Sequence, residues 1–141
     1  MSDMYNLRII AAVRVFYEGP CLSLIVPAFD GEKEVLAHHE SMVIAVTDGE
    51  MRYKTEDGTW HIGYVGRGFV QIANNRVLLL TESAEKPEEI DVRRAEEAKE
   101  RALEQLRQKQ SIQEYYHSSA SLARAMARLK TSRQTAGKIR I

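Results

Sequence analysis

The stretch that decides the architecture is EKPEEIDVRRAEEAKERALEQL, residues 85–106. Upstream of it the chain is a series of short apolar runs broken by turn signals. Pro87 is the last proline, and the next glycine after it is Gly137. Pro87 suits the first turn of a helix, and Glu88, Glu89 and Asp91 load that turn with negative charge, which complements the helix dipole. Ala95, Ala98, Ala102 and Leu106 recur at helical spacing as a narrow stripe of small residues. The helix is predicted to fade near Gln108–Gln110. Ser111 followed by Glu114 matches a capping box and opens a second helix. The apolar side of that helix includes Leu122, Ala125, Met126 and Leu129, with Ala120, Ala123 and Ala127 nearby. Alanine on both helices lets two backbones approach closely as an antiparallel pair. At ~25 cal/mol per Å² such a stripe contributes far less than leucine would, which predicts a marginal, movable unit. After Lys130 the run TSRQTAGKIRI reads as frayed. The expected division is residues 1–86, residues 87–131, and a flexible tail over 132–141.

Working back toward the N-terminus, residues 5–17 (YNLRIIAAVRVFY) are rich in β-branched and aromatic residues, with Gly19-Pro20 read as the stop. Cys21–Pro27 is a second apolar run, closed by Asp30-Gly31. Met42–Thr47 ends at Asp48-Gly49, a hairpin signal. Met51–Lys54 ends at Asp57-Gly58, and Thr59–Val65 alternates with Trp60, Ile62 and Tyr64 on one face. Phe69–Ile72 and Val77–Leu80 flank Ala73-Asn74-Asn75-Arg76, and asparagine tolerates the positive φ of a tight hairpin. Gly66-Arg67-Gly68 has neither the spacing nor the following helix of a nucleotide loop and reads as a bend between strands. Short strands with turns every 8–12 residues predict an antiparallel β-sandwich or barrel, and roughly 85 residues suffice for its core. The fold class is therefore β followed by α.

Composition sets further bounds. With 44% hydrophobic and 28% charged residues, the chain has the balance of an ordinary globular protein. Its longest apolar runs are too short to span a bilayer. The start, MSDMYNLRII, lacks the basic region and long apolar core of a signal peptide. One cysteine, Cys21, excludes an internal disulfide and fits a reducing compartment as a buried small residue. Net charge is zero but unevenly spread, since residues 115–141 carry six bases (Arg124, Arg128, Lys130, Arg133, Lys138 and Arg140) and no acid. That asymmetry fits either a solvated basic tail or an acidic partner.

Candidate chemistry is sparse. Neighbouring His38 and His39 point to opposite faces of a strand and no distant pair completes a ligand set, so no metal site is expected. His61 is expected on the outer sheet face, and His117, after Tyr115-Tyr116, against the sandwich. The serines at 118, 119 and 121 have no triad around them, and no catalytic residue is assigned. What remains is cationic. Arg94 and Arg101 lie two turns apart on one helix face, and Arg124 and Arg128 one turn apart on the next. In an antiparallel pair these guanidinium groups converge near the junction with the strands, as planar donors suited to phosphate, with Asp91 holding Arg94. Spacing alone favours plain surface pairs, Asp91–Arg94 and Glu97–Arg101, worth ~0.3–0.5 kcal/mol each.

Several blocks occur in a distinctive order: Val26-Pro27 with Asp30-Gly31-Glu32, Asp48-Gly49-Glu50-Met51-Arg52, VGRGFVQIANNRVLLLTESAE (65–85), IDVRRAEEAKERA (90–102) and ARAMARL (123–129). Over residues 5–130 the chain resembles the epsilon subunit of bacterial F-type ATP synthase, the counterpart of the mitochondrial delta subunit. The resemblance implies a ten-stranded antiparallel β-sandwich followed by an antiparallel two-helix hairpin. It implies a non-catalytic central-stalk subunit, peripheral to the cytoplasmic face of the plasma membrane. Its partners would be the gamma subunit, the c-ring and the alpha/beta catalytic hexamer. The hairpin would lie against the sandwich or extend along gamma to block ATP hydrolysis, its basic end (Lys130 and Arg133 included) suiting an acidic target on the beta subunits.

Some family members bind ATP on the folded hairpin through I/L-D-x-x-R-A, matched by Ile90, Asp91, Arg94 and Ala95. Further family positions fall on Glu85, Arg101, Arg124 and Arg128. ATP is then a regulatory ligand and not an obligatory cofactor. Two departures stand out. In place of a Gly-rich stretch ending Leu-Pro-Gly-His the chain has Glu34–Met42, where only His39 keeps its place, at the end expected to face the c-ring. Phe69-Val70-Gln71 replaces the usual Phe-x-Glu. Two other readings compete: a stand-alone ATP-sensing module, and a nucleic-acid binder. The second lacks aromatic platforms beyond Tyr115 and Tyr116, so no nucleic-acid partner is expected.

Overall fold

A computed structural model of the chain describes residues 3–108 and 111–133. Its strands are β1 (Tyr5–Ala11), β2 (Arg14–Ala28), β3 (Gly31–Leu36), β4 (Met42–Val46), β5 (Gly49–Thr55), β6 (Trp60–Val65), β7 (Gly68–Ala73), β8 (Arg76–Thr81) and β9 (Ala84–Glu85). A 3₁₀ turn (Pro87–Glu89) leads to helices α1 (Val92–Arg107) and α2 (Ile112–Ser132). The strands run in the order β4-β7-β8-β1-β2-β5-β6-β9, with β3 also paired to β2. This is the β-sandwich followed by a helical hairpin that the sequence predicts, with nine strands among the described residues where ten were expected.

Alternation builds the core. Leu7 and Ile9 of β1, Val70 and Ile72 of β7, and Val77 and Leu79 of β8 face inward against Leu24, Val26, Val35, Met51, Tyr53 and Val65. Strand β2 joins the layers: its first half pairs with β1 and its second with β3 and β5. The expected stop at Gly19-Pro20 is therefore wrong. The strand runs through, with Pro20 opposite Asn6, and the break falls at Ala12-Val13, before β2. Pairing is also not antiparallel throughout, because β1 and β8 are parallel, with Leu7 opposite Val77. Most of the sandwich separates these two strands in sequence, so no tight turn dictates their direction.

The asparagine hairpin forms as predicted, with φ of +52° at Asn74 and +58° at Asn75 between the paired Ala73 and Arg76. Asn75 also clamps its surroundings. Its Oδ1 accepts from the His38 backbone N–H at 2.7 Å, and its Nδ2 donates to the Met4 carbonyl at 3.0 Å.

The helices pack on each other through Ala95, Ala102, Ala125 and Leu129, all buried, and α2 lies against β5 and β6. Met126, expected on the packed side, is 51% exposed. The first helix does not open at Pro87. Ile90 stays extended and is only 7% exposed, and burying it separates the 3₁₀ turn from α1, which begins after Asp91. Ser111 caps α2 as expected, its Oγ accepting from the Glu114 N–H at 3.2 Å. The helix does not fray at Lys130: Thr131 is fully buried and its Oγ1 donates to the Ala127 carbonyl at 2.9 Å. The tail expectation for residues 134–141 lies outside the described residues.

Gly68 sits where β7 meets β8, and a Cβ there would overlap the Leu80 carbonyl oxygen and lie 2.8 Å from the Thr81 Cα. Gly68→Ala is expected to cost at least ~3 kcal/mol, because backbone and not a side-chain tip must move. Urea denaturation of the variant checks this.

Candidate anion site at the hairpin junction

The linker is held first. Arg14, at the start of β2, forms a bidentate pair with Glu89 in the 3₁₀ turn, at 2.9 and 2.8 Å. The same guanidinium donates to the Ala84 carbonyl at 3.0 Å. Glu89 in turn accepts from the Lys86 N–H at 2.7 Å. These hydrogen bonds, Arg14 foremost, hold its carboxyl down to about 2. The turn that leads into α1 is thus tied to a corner of the sandwich. Nothing in the sequence pattern signals this pairing, which spans 75 residues.

Beyond the turn, Asp91 caps α1. Its Oδ1 accepts from the Arg94 backbone N–H at 3.0 Å. The expected side-chain pairing of Asp91 with Arg94 is therefore replaced by a helix cap. Glu97 pairs with Arg93 at 3.2 Å in place of the anticipated Arg101, and a second surface pair on α1 joins Glu104 to Arg107 at 3.0 Å. Arg94 and Arg101 project as exposed side chains along one face.

Between α1, α2 and the end of the sandwich lies a cavity of about 470 Å³. Arg94 and Arg101 line it from α1, Arg124 and Arg128 from α2, and Glu85 and Asp91 from the junction. Alanines 95, 98, 102 and 125 form its floor, and Gln105, His117 and Ser121 its distal end. The small-residue stripe therefore both packs the helices and makes room between them. Of the residues singled out by sequence, Ile90 does not line the cavity: it is buried behind the linker. His117 lines the cavity, where packing against the sandwich was anticipated. His39, Lys130 and Arg133 lie elsewhere. The His39 ring contacts the Glu40 carbonyl at 2.8 Å, Lys130 is exposed on α2, and Arg133 is exposed just past its C-terminal end.

Arg128 is the most constrained of the four arginines that line the cavity. Its Nε donates to Glu85 Oε1 at 2.7 Å, and its guanidinium carbon lies 4.4 Å from the centroid of the Tyr64 ring. Arg124 donates to Ser121 Oγ at 3.2 Å. Tyr64 is fully buried, and burial raises its hydroxyl to about 12. The sequence reading placed Tyr64 on one face of β6 but gave it no role.

The cavity has four guanidinium groups against two carboxylates, and its volume suits an organic ligand of moderate size. That donor set, planar and positively charged, matches a polyphosphate. His61 is half-buried and stacks on Tyr53 at 5.1 Å, where the outer face was expected. Among the described residues no group of three or more His, Cys, Asp or Glu side chains is arranged to hold a metal ion. No helix among them is long and apolar enough to cross a membrane.

Comparison with known proteins covers nearly the whole chain. The model of the ATP synthase Delta/Epsilon chain beta-sandwich domain matches residues 4–87. That of the Delta/Epsilon chain long alpha-helix domain matches residues 88–133. The ATP synthase epsilon chain of Caldanaerobacter subterraneus subsp. tengcongensis is 38% identical over 130 residues, covering 92% of this chain and 94% of the relative. That of Ruminiclostridium cellulolyticum is 42% identical over 128 residues, covering 91% and 95%. Among solved structures, a chain of the Euglena gracilis mitochondrial ATP synthase (OSCP/F1/c-ring) has the same fold. Its TM-score is 0.81 at 20% identity, over 95% of this chain and 84% of that one.

The Arg14–Glu89 pair gives a pH-dependent contribution to stability. Glu89 is depressed from 4.5 to about 2 on folding, so its stabilisation is present above pH ~4.5 and is lost as pH falls toward 2. Because both side chains are partly exposed, Arg14→Ala is expected to cost about 1 kcal/mol at pH 7. The difference from the unsubstituted chain should disappear between pH 4.5 and 2, as read by thermal denaturation across that range.

Proposed function

This chain belongs to the ATP synthase delta/epsilon chain family, and from that premise we propose that its helical hairpin is an ATP-regulated brake on a rotary stalk. As an epsilon chain of F-type ATP synthase it is a non-catalytic stalk subunit of the complex. In the proposal the sandwich binds the gamma subunit and couples it to the c-ring, at the cytoplasmic face of the plasma membrane. The hairpin, when released from the sandwich, reaches the alpha/beta hexamer and blocks ATP hydrolysis. ATP holds it down.

One observation carries the ligand reading: Glu85, Asp91, Arg94, Arg101, Arg124 and Arg128 all line one cavity between the hairpin and the sandwich. Four of them come from two different helices, so the site is whole only when α1 and α2 are paired. A ligand bridging them favours the paired, docked arrangement by its differential affinity.

The sandwich offers a surface for gamma. Ala45, Phe69, Leu80, Ile10 and Val15 are consecutive cross-strand partners on β4, β7, β8, β1 and β2. They point away from the core, with Phe69 42% and Val15 50% exposed. An apolar row on the open face of a sheet fits a protein partner better than solvent.

ATP at 100 times its dissociation constant adds about 2.7 kcal/mol of stability. For a chain of this size the melting temperature should rise by roughly 5–10 °C. Arg94→Ala or Arg128→Ala should abolish the rise. An unsubstituted chain that melts identically with and without ATP ends the ligand reading. The brake is tested separately by ATPase assay of the reconstituted catalytic head. The full chain should lower hydrolysis, and a chain cut after Glu85 should bind gamma without lowering it. Equal inhibition by both would remove the hairpin from the mechanism.

A further inference from the structure

We propose that Tyr64 is a positioning residue for the anion site, its ring acting as the shelf that aims the Arg128 guanidinium fork into the cavity. The proposal rests on the nucleotide reading for its ligand, but it concerns a residue outside the cavity lining and outside the family motif. Its basis is geometric. Tyr64 and Glu85 are direct cross-strand partners on β6 and β9, so ring and carboxylate stand side by side on the face that α2 covers. Arg128 meets both. Glu85 takes the Nε–H at 2.7 Å, and the guanidinium carbon lies over the ring, 4.4 Å from its centroid. These two contacts hold the guanidinium from one edge and from one side. The carboxylate engages one edge through Nε, and the Nη edge belongs to a side chain that lines the cavity.

A guanidinium held on a sandwich residue is at its post only while α2 lies on β6. Tyr64 thereby makes ligand affinity depend on docking. Without the shelf, Arg128 keeps one contact, to Glu85, around which it swings, and the cavity loses a preorganised donor. The hydroxyl of Tyr64 is not required. It is buried with no hydrogen-bond partner among the described residues, so the work falls to the ring face.

The test compares Tyr64→Phe, which keeps the ring, with Tyr64→Leu, which keeps apolar bulk and loses the π-face, in the full chain. Binding is read by titration with ATP. Docking is read, without ligand, by amide hydrogen exchange over residues 121–132. Tyr64→Phe should bind ATP within about 2-fold of the unsubstituted chain and exchange at the same rate. Tyr64→Leu should bind at least ~10-fold more weakly and exchange faster over α2, while exchange in β1, β7 and β8 stays unchanged. If Tyr64→Leu matches the unsubstituted chain in both readouts, or Tyr64→Phe is as impaired as Tyr64→Leu, the assignment is overturned. If the unsubstituted chain shows no saturable response to ATP, the nucleotide reading fails by itself. The shelf then stands or falls on exchange: faster over α2 in Tyr64→Leu alone upholds it, and equal rates overturn it.

Discussion

The docked arrangement turns on a single cation, Arg128. It sits on α2, pairs with Glu85 at the end of the sandwich and stacks on Tyr64 of β6. Two helices whose buried contacts are Ala95, Ala102, Ala125 and Leu129 bury little apolar area, and alanine contributes much less than leucine per residue buried. Polar contacts to the sandwich therefore carry unusual weight. The side chains of Arg128 and Glu85 are 32% and 24% exposed, dry enough for the charge-assisted bond to exceed a typical surface pair. Arg14 does the corresponding work at the other end of the linker, where its fork grips Glu89. Between these two clamps lie Lys86, Pro87 and Glu88, and Ile90, the cap at Asp91 and the start of α1 follow directly after them.

The division of the chain is legible because periodicity changes from two to 3.6 where Pro87 and a run of acids stand. The strand turns are legible where residue chemistry forces the backbone, as at Asn74-Asn75. Gly19-Pro20 misleads because a glycine–proline pair permits a bend as readily as a stop. Here β2 runs through both residues, and its pairing with β5 shifts register just after them, between Cys21 and Ser23. Pro87 misleads for a related reason: it does open a helical turn, but Ile90 must be buried, and burying it costs the continuity of the helix. Spacing brings Arg94, Arg101, Arg124 and Arg128 to one side of a hairpin, yet it cannot say what faces them. Glu85, Tyr64 and Arg14 come from strands at long sequence distance, and only the folded sheet register brings them to the junction.

The charge of the cavity is the physical ground for the proposed polyanionic ligand. Arg124 and Arg128 are like charges one turn apart on one helix, an arrangement unfavourable by ~0.2–0.5 kcal/mol on its own. Arg94 and Arg101 face them across the gap. Glu85 offsets one of these charges through a direct bond, while Asp91 is engaged in capping α1. The apposition of α1 and α2 therefore carries uncompensated repulsion along the same face where alanine provides little attraction. A ligand with several negative charges relieves that repulsion and bridges both helices at once.

In the proposed brake, a hairpin held this lightly would respond to a ligand of ordinary affinity. Moving a two-state equilibrium from 1:99 to 99:1 requires about 5.5 kcal/mol of differential binding, whereas a balanced equilibrium responds to a fraction of that. Leucines along the alanine stripe would fill the cavity and, at the buried positions Ala95, Ala102 and Ala125, would force the closely apposed helices apart. The small residues thus set two quantities together: the space in which an anion fits, and the weakness that lets its binding matter. In the proposed brake, sensitivity to nucleotide and ease of release follow from the same choice of side chain.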